Sequence, residues 1–171
     1  MTNRTPYTTI MLSGGFDPIH IGHIRMILAA AELGNVIIVA NSDDWLMRKK
    51  GYIFMPWEER AEILKAVRGV IDVVAVDDSD GTVCEALERL RPVLFGNGGD
   101  RTNKNTPEMA VCNKLGIEMI WALGGEKIQS SSDLVTDANL APEQTDDPDI
   151  PKPDRTIFLR DTKGKNSENQ S

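Results

Sequence analysis

Short apolar runs alternate with longer amphipathic stretches along most of this chain. Residues 8–12, 36–40, 70–76, 93–95 and 117–122 are brief and rich in Val, Ile and Leu, as strands buried on both faces are. Residues 19–33, 57–67, 82–90, 106–115 and 131–140 carry the longer period of helices. This alternation predicts an α/β fold, a Rossmann-like, doubly wound parallel sheet of five strands with helices on both faces. Pro56 suits a helix opening, where its missing N–H costs nothing. Gly34 and Gly116 stand where helix ends favour a left-handed residue.

In open sheets of this kind, ligands bind at the carboxyl ends of the strands, where the strand order reverses. Chemistry-bearing residues fall there in four segments. The first is Gly14-Gly15-Phe16-Asp17-Pro18-Ile19-His20-Ile21-Gly22-His23. Its glycines let backbone approach a ligand closely, and His20 and His23 share one face of the helix that opens there. The unpaired N–H groups and positive dipole end of a first helical turn attract anions. Two imidazoles added to them can stabilise charge that builds on a phosphorus centre. These are the only two histidines in the chain. A zinc site needs three or four ligands, and no third histidine or Cys-x-x-Cys completes one, so no metal-ligating residue is assigned.

The other three segments add charge and hydroxyls. Asn41-Ser42-Asp43 follows the second strand, and Asp43 is a candidate for holding an acceptor. Gly96-Asn97-Gly98-Gly99-Asp100 is dense enough in glycine for backbone to approach a base or ribose, with Gly98 and Asp100 as candidates and Asp100 able to organise Mg²⁺. Lys127-Ile128-Gln129-Ser130-Ser131-Ser132 opens the last helix. Serines suit an N-cap, and with Lys127 beside them Ser130, Ser131 and Ser132 suit phosphates as well. Arg48-Lys49-Lys50 reads as a basic loop, with Lys50 as the lysine carried forward for the reacting phosphates. Arg60 has no carboxylate three or four residues away, so it is either a second cation for the acceptor or a solvated surface residue.

Composition narrows the field further. The chain has 171 residues, 40% of them hydrophobic, enough for one α/β domain with a proper core. A formal net charge of −7 argues against broad nucleic-acid binding, which needs basic surface. Cys84 and Cys112 lack metal spacing and read as small apolar residues of a reducing compartment. No apolar signal segment opens the chain, and no run nears the ~18 residues of a membrane helix. A cytoplasmic protein without membrane contact is expected. Composition places the domain at residues 1–141. An acidic, proline-rich tail at 142–171 reads as disordered, with a short apolar island at 156–159.

His20-Ile21-Gly22-His23, the preceding Gly-Gly-Phe-Asp-Pro, Gly98-Gly99-Asp100 and the serine helix start together resemble the cytidylyltransferase-like family of nucleotidyltransferases, over about residues 8–140. Heptose-phosphate adenylyltransferase and glycerol-3-phosphate cytidylyltransferase are the nearest branches. Asn41-Ser42-Asp43 and Pro56-Trp57-Glu58-Glu59-Arg60 are similar to the first. The resemblance implies transfer of a nucleoside monophosphate from CTP or ATP to a sugar or polyol phosphate, with Mg²⁺ and release of pyrophosphate. His20 and His23 would stabilise the transition state with Lys50. Gly14, Gly15, Phe16, Asp17, Gly98, Asp100, Lys127 and Ser130 to Ser132 would hold the nucleotide, and Asp43 and Arg60 the acceptor. A homodimer is expected. The alternatives are a pantetheine-phosphate or nicotinamide-mononucleotide adenylyltransferase, or a non-catalytic nucleotide-binding protein. The family's last motif carries an arginine that is absent here, with Lys127 offset from its place.

Overall fold

The computed structural model describes residues 8–98, 106–126 and 128–140, the side chains of the last two excepted. In chain order the elements are β1 (Thr9–Gly14), α1 (Ile21–Leu33), β2 (Asn35–Ala40), α2 (Asp43–Lys50), α3 (Trp57–Lys65), β3 (Val70–Val74), α4 (Cys84–Leu90), β4 (Leu94–Gly98), α5 (Pro107–Leu115), β5 (Glu118–Leu123) and α6 (Ser131–Leu140). The five strands form one parallel sheet in the order β3-β2-β1-β4-β5. Its order reverses between β1 and β4, as the sequence pattern predicts.

Successive residues of a strand face opposite sides of the sheet, and β1 shows what that produces. Ile10 and Leu12 point into one core with Ile27, Ala30 and Ala31 of α1 and Ala61 and Leu64 of α3. Met11 points into the other, with Val39 and Phe95 and with Ala86 and Leu87 of α4 and Cys112 of α5. Burial on both faces explains the near-continuous apolar runs of the central strands.

Pairing between the central strands is uneven. β1 pairs with β2 along its whole length, from Thr9 opposite Asn35 to Gly14 opposite Ala40. Its pairing with β4 covers only Ile10 opposite Leu94 to Leu12 opposite Gly96. Both strands continue past that point, so the sheet forks at its carboxyl rim, at the switch point. Each edge strand carries a bulge. On β3, Ile71 falls between the partners of Val36 and Ile37. On β5, Gly96 and Gly98 pair with Ile120 and Leu123, and Ala122 takes a positive φ of 57°. Bulges of this kind discourage edge-to-edge association.

Three local expectations need correcting. The supposed basic loop at Arg48–Lys50 is the last turn of α2, capped by Ser42 at one end and by left-handed Gly51 at the other. Pro56 is the N-cap of α3, and the first helical residue is Trp57. Gly116 is left-handed, with φ 72°, but Gly34 is extended, with φ 179°. Glycine is needed at 34 because a Cβ there would stand 2.5 Å from the Thr8 carbonyl oxygen.

Candidate active site

β1 ends at Gly14, and the chain turns through Gly15 to Pro18 into α1. His20 is the N-cap of α1, in extended conformation, and does not belong to the helix itself, while His23 is its N3 residue. The two side chains form a reciprocal capping box. His20 Nδ1 accepts from the Gly22 N–H at 3.1 Å, and His23 Nδ1 accepts from the His20 N–H at 3.2 Å. A neutral imidazole has one acceptor and one donor nitrogen. With each Nδ1 accepting, the proton of each ring is assigned to Nε2. The rings stack at 3.8 Å between centroids, and Phe16 packs against His23 at 4.9 Å. Gly22 permits the arrangement, since a Cβ there would lie 2.9 Å from His20 Cε1.

The opposite wall is the start of α6. Ser130 Oγ accepts from the Asp133 N–H at 3.4 Å, and the Ser130 carbonyl accepts from the Leu134 N–H. Ser131, 8% exposed, donates its hydroxyl to the Pro18 carbonyl at 2.8 Å. That bond ties α6 to the turn that positions the histidines. Gly124 completes the join, because a Cβ there would come within 2.7 Å of the Met26 backbone nitrogen of α1. The two helix starts enclose a cavity of about 270 Å³ lined by His20, His23, Lys50, Gly98 and Ser130 to Ser132. Met26, Leu123 and Ile128 give it an apolar side, and Glu126 and Gln129 a polar one. Sequence reasoning passed over Met26, Leu123 and Glu126, and gave Ile128 and Gln129 no role within the segment that opens α6. Two helix N-termini and two imidazoles on its walls give the cavity chemistry that suits an anion.

Lys50 supplies the fixed charge. It ends α2 and donates from Nζ to the Asp17 carbonyl at 2.8 Å. Burial pulls its ammonium below the ordinary 10.5, against the opposing effect of the Asp17 carboxylate. Of the basic run, Lys50 is the residue that lines the cavity. Arg48 instead donates to the Asp78 carbonyl at 2.8 Å.

Neither Arg60 nor Asp43 lines the cavity, and for Arg60 the expectation is corrected. Arg60 is fully buried, neither solvated nor open to an acceptor. Its Nε donates to the Met55 carbonyl at 3.0 Å. One terminal nitrogen donates to the carbonyls of Gly15 and Asn41 at 2.6 and 2.9 Å, and the other to Asp43 Oδ1 at 2.6 Å. The other carboxylate oxygen of Asp43 accepts from the Trp57 N–H. The carboxylate partner of Arg60 stands seventeen residues away, beyond any helix-spacing argument.

Gly14, Gly15, Phe16 and Asp17 also do not line the cavity. Asp17 is fully buried, and its carboxylate accepts from the N–H groups of Phe54 and Met55 at 2.7 and 2.6 Å. Burial pushes its pKa up, although these donors and the charges of Arg60 and Lys50 act downward. Gly15 serves close packing, since a Cβ there would meet Leu46 Cδ2 at 2.9 Å. This turn shapes the site from behind. Asp100 and Lys127 lie outside the described residues.

Asp78 is a rim residue that sequence reasoning missed. It accepts from Asn41 Nδ2, the Ser42 N–H and Ser42 Oγ at 3.0, 2.8 and 2.6 Å. The acidic run beyond β3, at the sheet's carboxyl edge, was the available signal. Cys112 is buried, which pushes its thiol up to about 11 and keeps it protonated.

The cytidylyltransferase-like family matches residues 11–162. The chain belongs to that family. The bifunctional protein HldE of Streptomyces coelicolor is 35% identical over 121 residues, covering 68% of this chain and 26% of that protein. FAD synthase of Pyrococcus abyssi is 35% identical over 94 residues, 54% of this chain and 63% of that one. The chain thus spans about a quarter of HldE and under two thirds of the FAD synthase. A lipopolysaccharide core biosynthesis protein of Thermoplasma volcanium shares the fold, with a TM-score of 0.56 and 22% identity over 67% of this chain and 93% of its own. Among the described residues no helix is long and apolar enough to cross a membrane.

Proposed function

We propose that this cytidylyltransferase-like chain transfers a nucleoside monophosphate from ATP or CTP to a phosphorylated small molecule, a sugar or polyol phosphate. The observation that carries this reading is the capping box, which sets two imidazoles at one helix start in the wall of a small cavity whose other wall is a second helix start. The acceptor's phosphate oxygen forms a bond to the α-phosphorus, the bond to the bridging oxygen breaks, and pyrophosphate leaves with that electron pair. Charge grows on the non-bridging oxygens as this happens. Donors already oriented by their own caps stabilise it without reorganising. The start of α6 and Lys50 suit the departing pyrophosphate.

The likeness to FAD synthase, named for a product that contains an adenylyl group, favours ATP as the donor. Magnesium would enter with the triphosphate as part of the substrate. Among the described residues no group of three carboxylate, histidine or cysteine ligands could hold it alone. One carboxylate with substrate phosphates and waters is the usual arrangement for this ion, and Glu126 lines the cavity.

The test is pyrophosphate release by the full chain with ATP or CTP and a panel of acceptors: glycerol 3-phosphate, sugar 1-phosphates, FMN, phosphopantetheine and nicotinamide mononucleotide. Release with at least one pair is expected. Nucleotide binding without release from any pair would make this a binding protein.

A further inference from the structure

Beside the cavity, on the other side of the sheet rim, stands a polar group that none of the chemistry above uses. Asn97 is 4% exposed, and its Nδ2 has no hydrogen-bond partner among the described residues. Buried side-chain donors are nearly always paired, so an exception calls for a cause. Asn41, equally buried on the same rim, shows the usual outcome, with its amide bound to Asp78 at 3.0 Å.

The position of Asn97 supplies a cause. The bulge beside it lies on β5, so β4 keeps its alternation. Gly98 therefore lies on the same side of the sheet as Gly96 and lines the cavity, and Asn97 faces the side of Phe95, toward α4 and α5. β1 and β4 stop pairing after Leu12 and Gly96, so Asn97 is the first residue of β4 past the fork. A crevice at such a switch point is where open α/β sheets bind ligands.

We infer that Asn97 recognises the acceptor, its side-chain N–H donating to an oxygen of the phosphorylated substrate at the fork between β1 and β4. This rests on the nucleotidyl-transfer reading. In-line attack brings the acceptor to the α-phosphorus opposite the departing pyrophosphate, which lies with the two helix starts. A ligand in the fork enters from the far side of Gly98, as that geometry requires. A neutral amide donor suits an oxygen-rich substrate and adds no charge to the site. It makes Asn97 a specificity-determining residue that takes no proton.

The experiment compares the full chain with Asn97→Leu, using the panel acceptor that releases most pyrophosphate with the parent. Leu has similar volume and leaves no unpaired donor. KM for the acceptor is expected to rise tenfold or more, KM for the nucleotide to stay within twofold, and Tm to hold or rise. An acceptor KM within twofold of the parent overturns the inference. Should the Leu variant fail to fold, Asn97→Asp keeps the shape and replaces the donor with a carboxylate. It is expected to raise the acceptor KM tenfold or more, and an unchanged value overturns the inference equally. No release from the parent with any acceptor would instead sink the nucleotidyl-transfer reading itself.

Discussion

Lys50 and Arg60 grip the same turn after β1, Lys50 through the carbonyl of Asp17 and Arg60 through the carbonyl of Gly15. One borders the cavity and the other is sealed into the architecture. All the donor nitrogens of Arg60 are engaged, to three backbone carbonyls and one carboxylate, and none of the side chain reaches solvent. Lys50 commits an N–H to Asp17 and turns its ammonium to the cavity wall, where loss of water pulls its pKa down. A planar fork in a closed cage is a strut. A half-buried ammonium beside an anion site waits for a counterion. Cationic type alone does not separate these roles, whereas the number of committed donors does.

Removing the strut should have the largest effect. Arg60→Ala strips Asp43 of its cation and three carbonyls of their donors, and breaking a buried pair costs about 3–5 kcal/mol. Chemical denaturation should show that loss, and a variant within 1 kcal/mol of the parent would deny the cage its importance. The histidines should show the opposite pattern, lost turnover on an intact fold. Asparagine is a favourable N-cap, so His20→Asn keeps an acceptor for the Gly22 N–H while removing the Nε2 donor. Turnover should fall about 10²–10³-fold, the usual consequence of losing one such donor, with Tm nearly unchanged. Equal loss of stability and activity would reduce His20 to a cap.

Lys50 sharpens the comparison through pH. Because its pKa lies below 10.5, its charge disappears as pH rises through that lowered value. Turnover should therefore have an alkaline limb that begins below pH 10.5. Lys50→Arg should remove the limb, since a guanidinium stays charged. Stability moves the other way, because the folded state penalises the charged ammonium, and the penalty fades as pH climbs from the lowered value toward 10.5. A limb unchanged in the Arg variant would assign the titration to another group. Ser131→Ala should show the smallest effect, about 1 kcal/mol for the lost bond to Pro18, and a higher KM for the nucleotide as α6 loosens. Calorimetry and initial rates would measure the two.

Much of this was legible in the residues. The apolar runs marked every strand, most plainly the central ones, whose burial on both faces leaves little polar signal. The histidine segment and the serine start of α6 were legible because helix starts announce themselves chemically. α2 was not. Ser42, Asp43-Asp44, Arg48-Lys49-Lys50 and Gly51 are a complete set of helix end signals, but its one buried residue, Leu46, leaves no apolar stripe to detect. Misreading α2 as a loop also hid Asp43 as the partner of Arg60. The two sit on separate helices, and only the packing of α3 against the rim joins them. The second glycine-rich segment shows a different limit. Gly96 is required because a Cβ there would press on Leu12 and Leu123 within the sheet, a packing demand that resembles a ligand demand when only letters are visible.

The hydroxyl of Ser131 reaches a carbonyl 113 residues earlier in the chain, so the two walls of the anion pocket are made at opposite ends of the folding domain. On the proposed reading, a fragment without α6 lacks one wall of the triphosphate site. A nucleotide present at a hundred times its dissociation constant would add about 2.7 kcal/mol to the finished molecule and nothing to one still lacking α6.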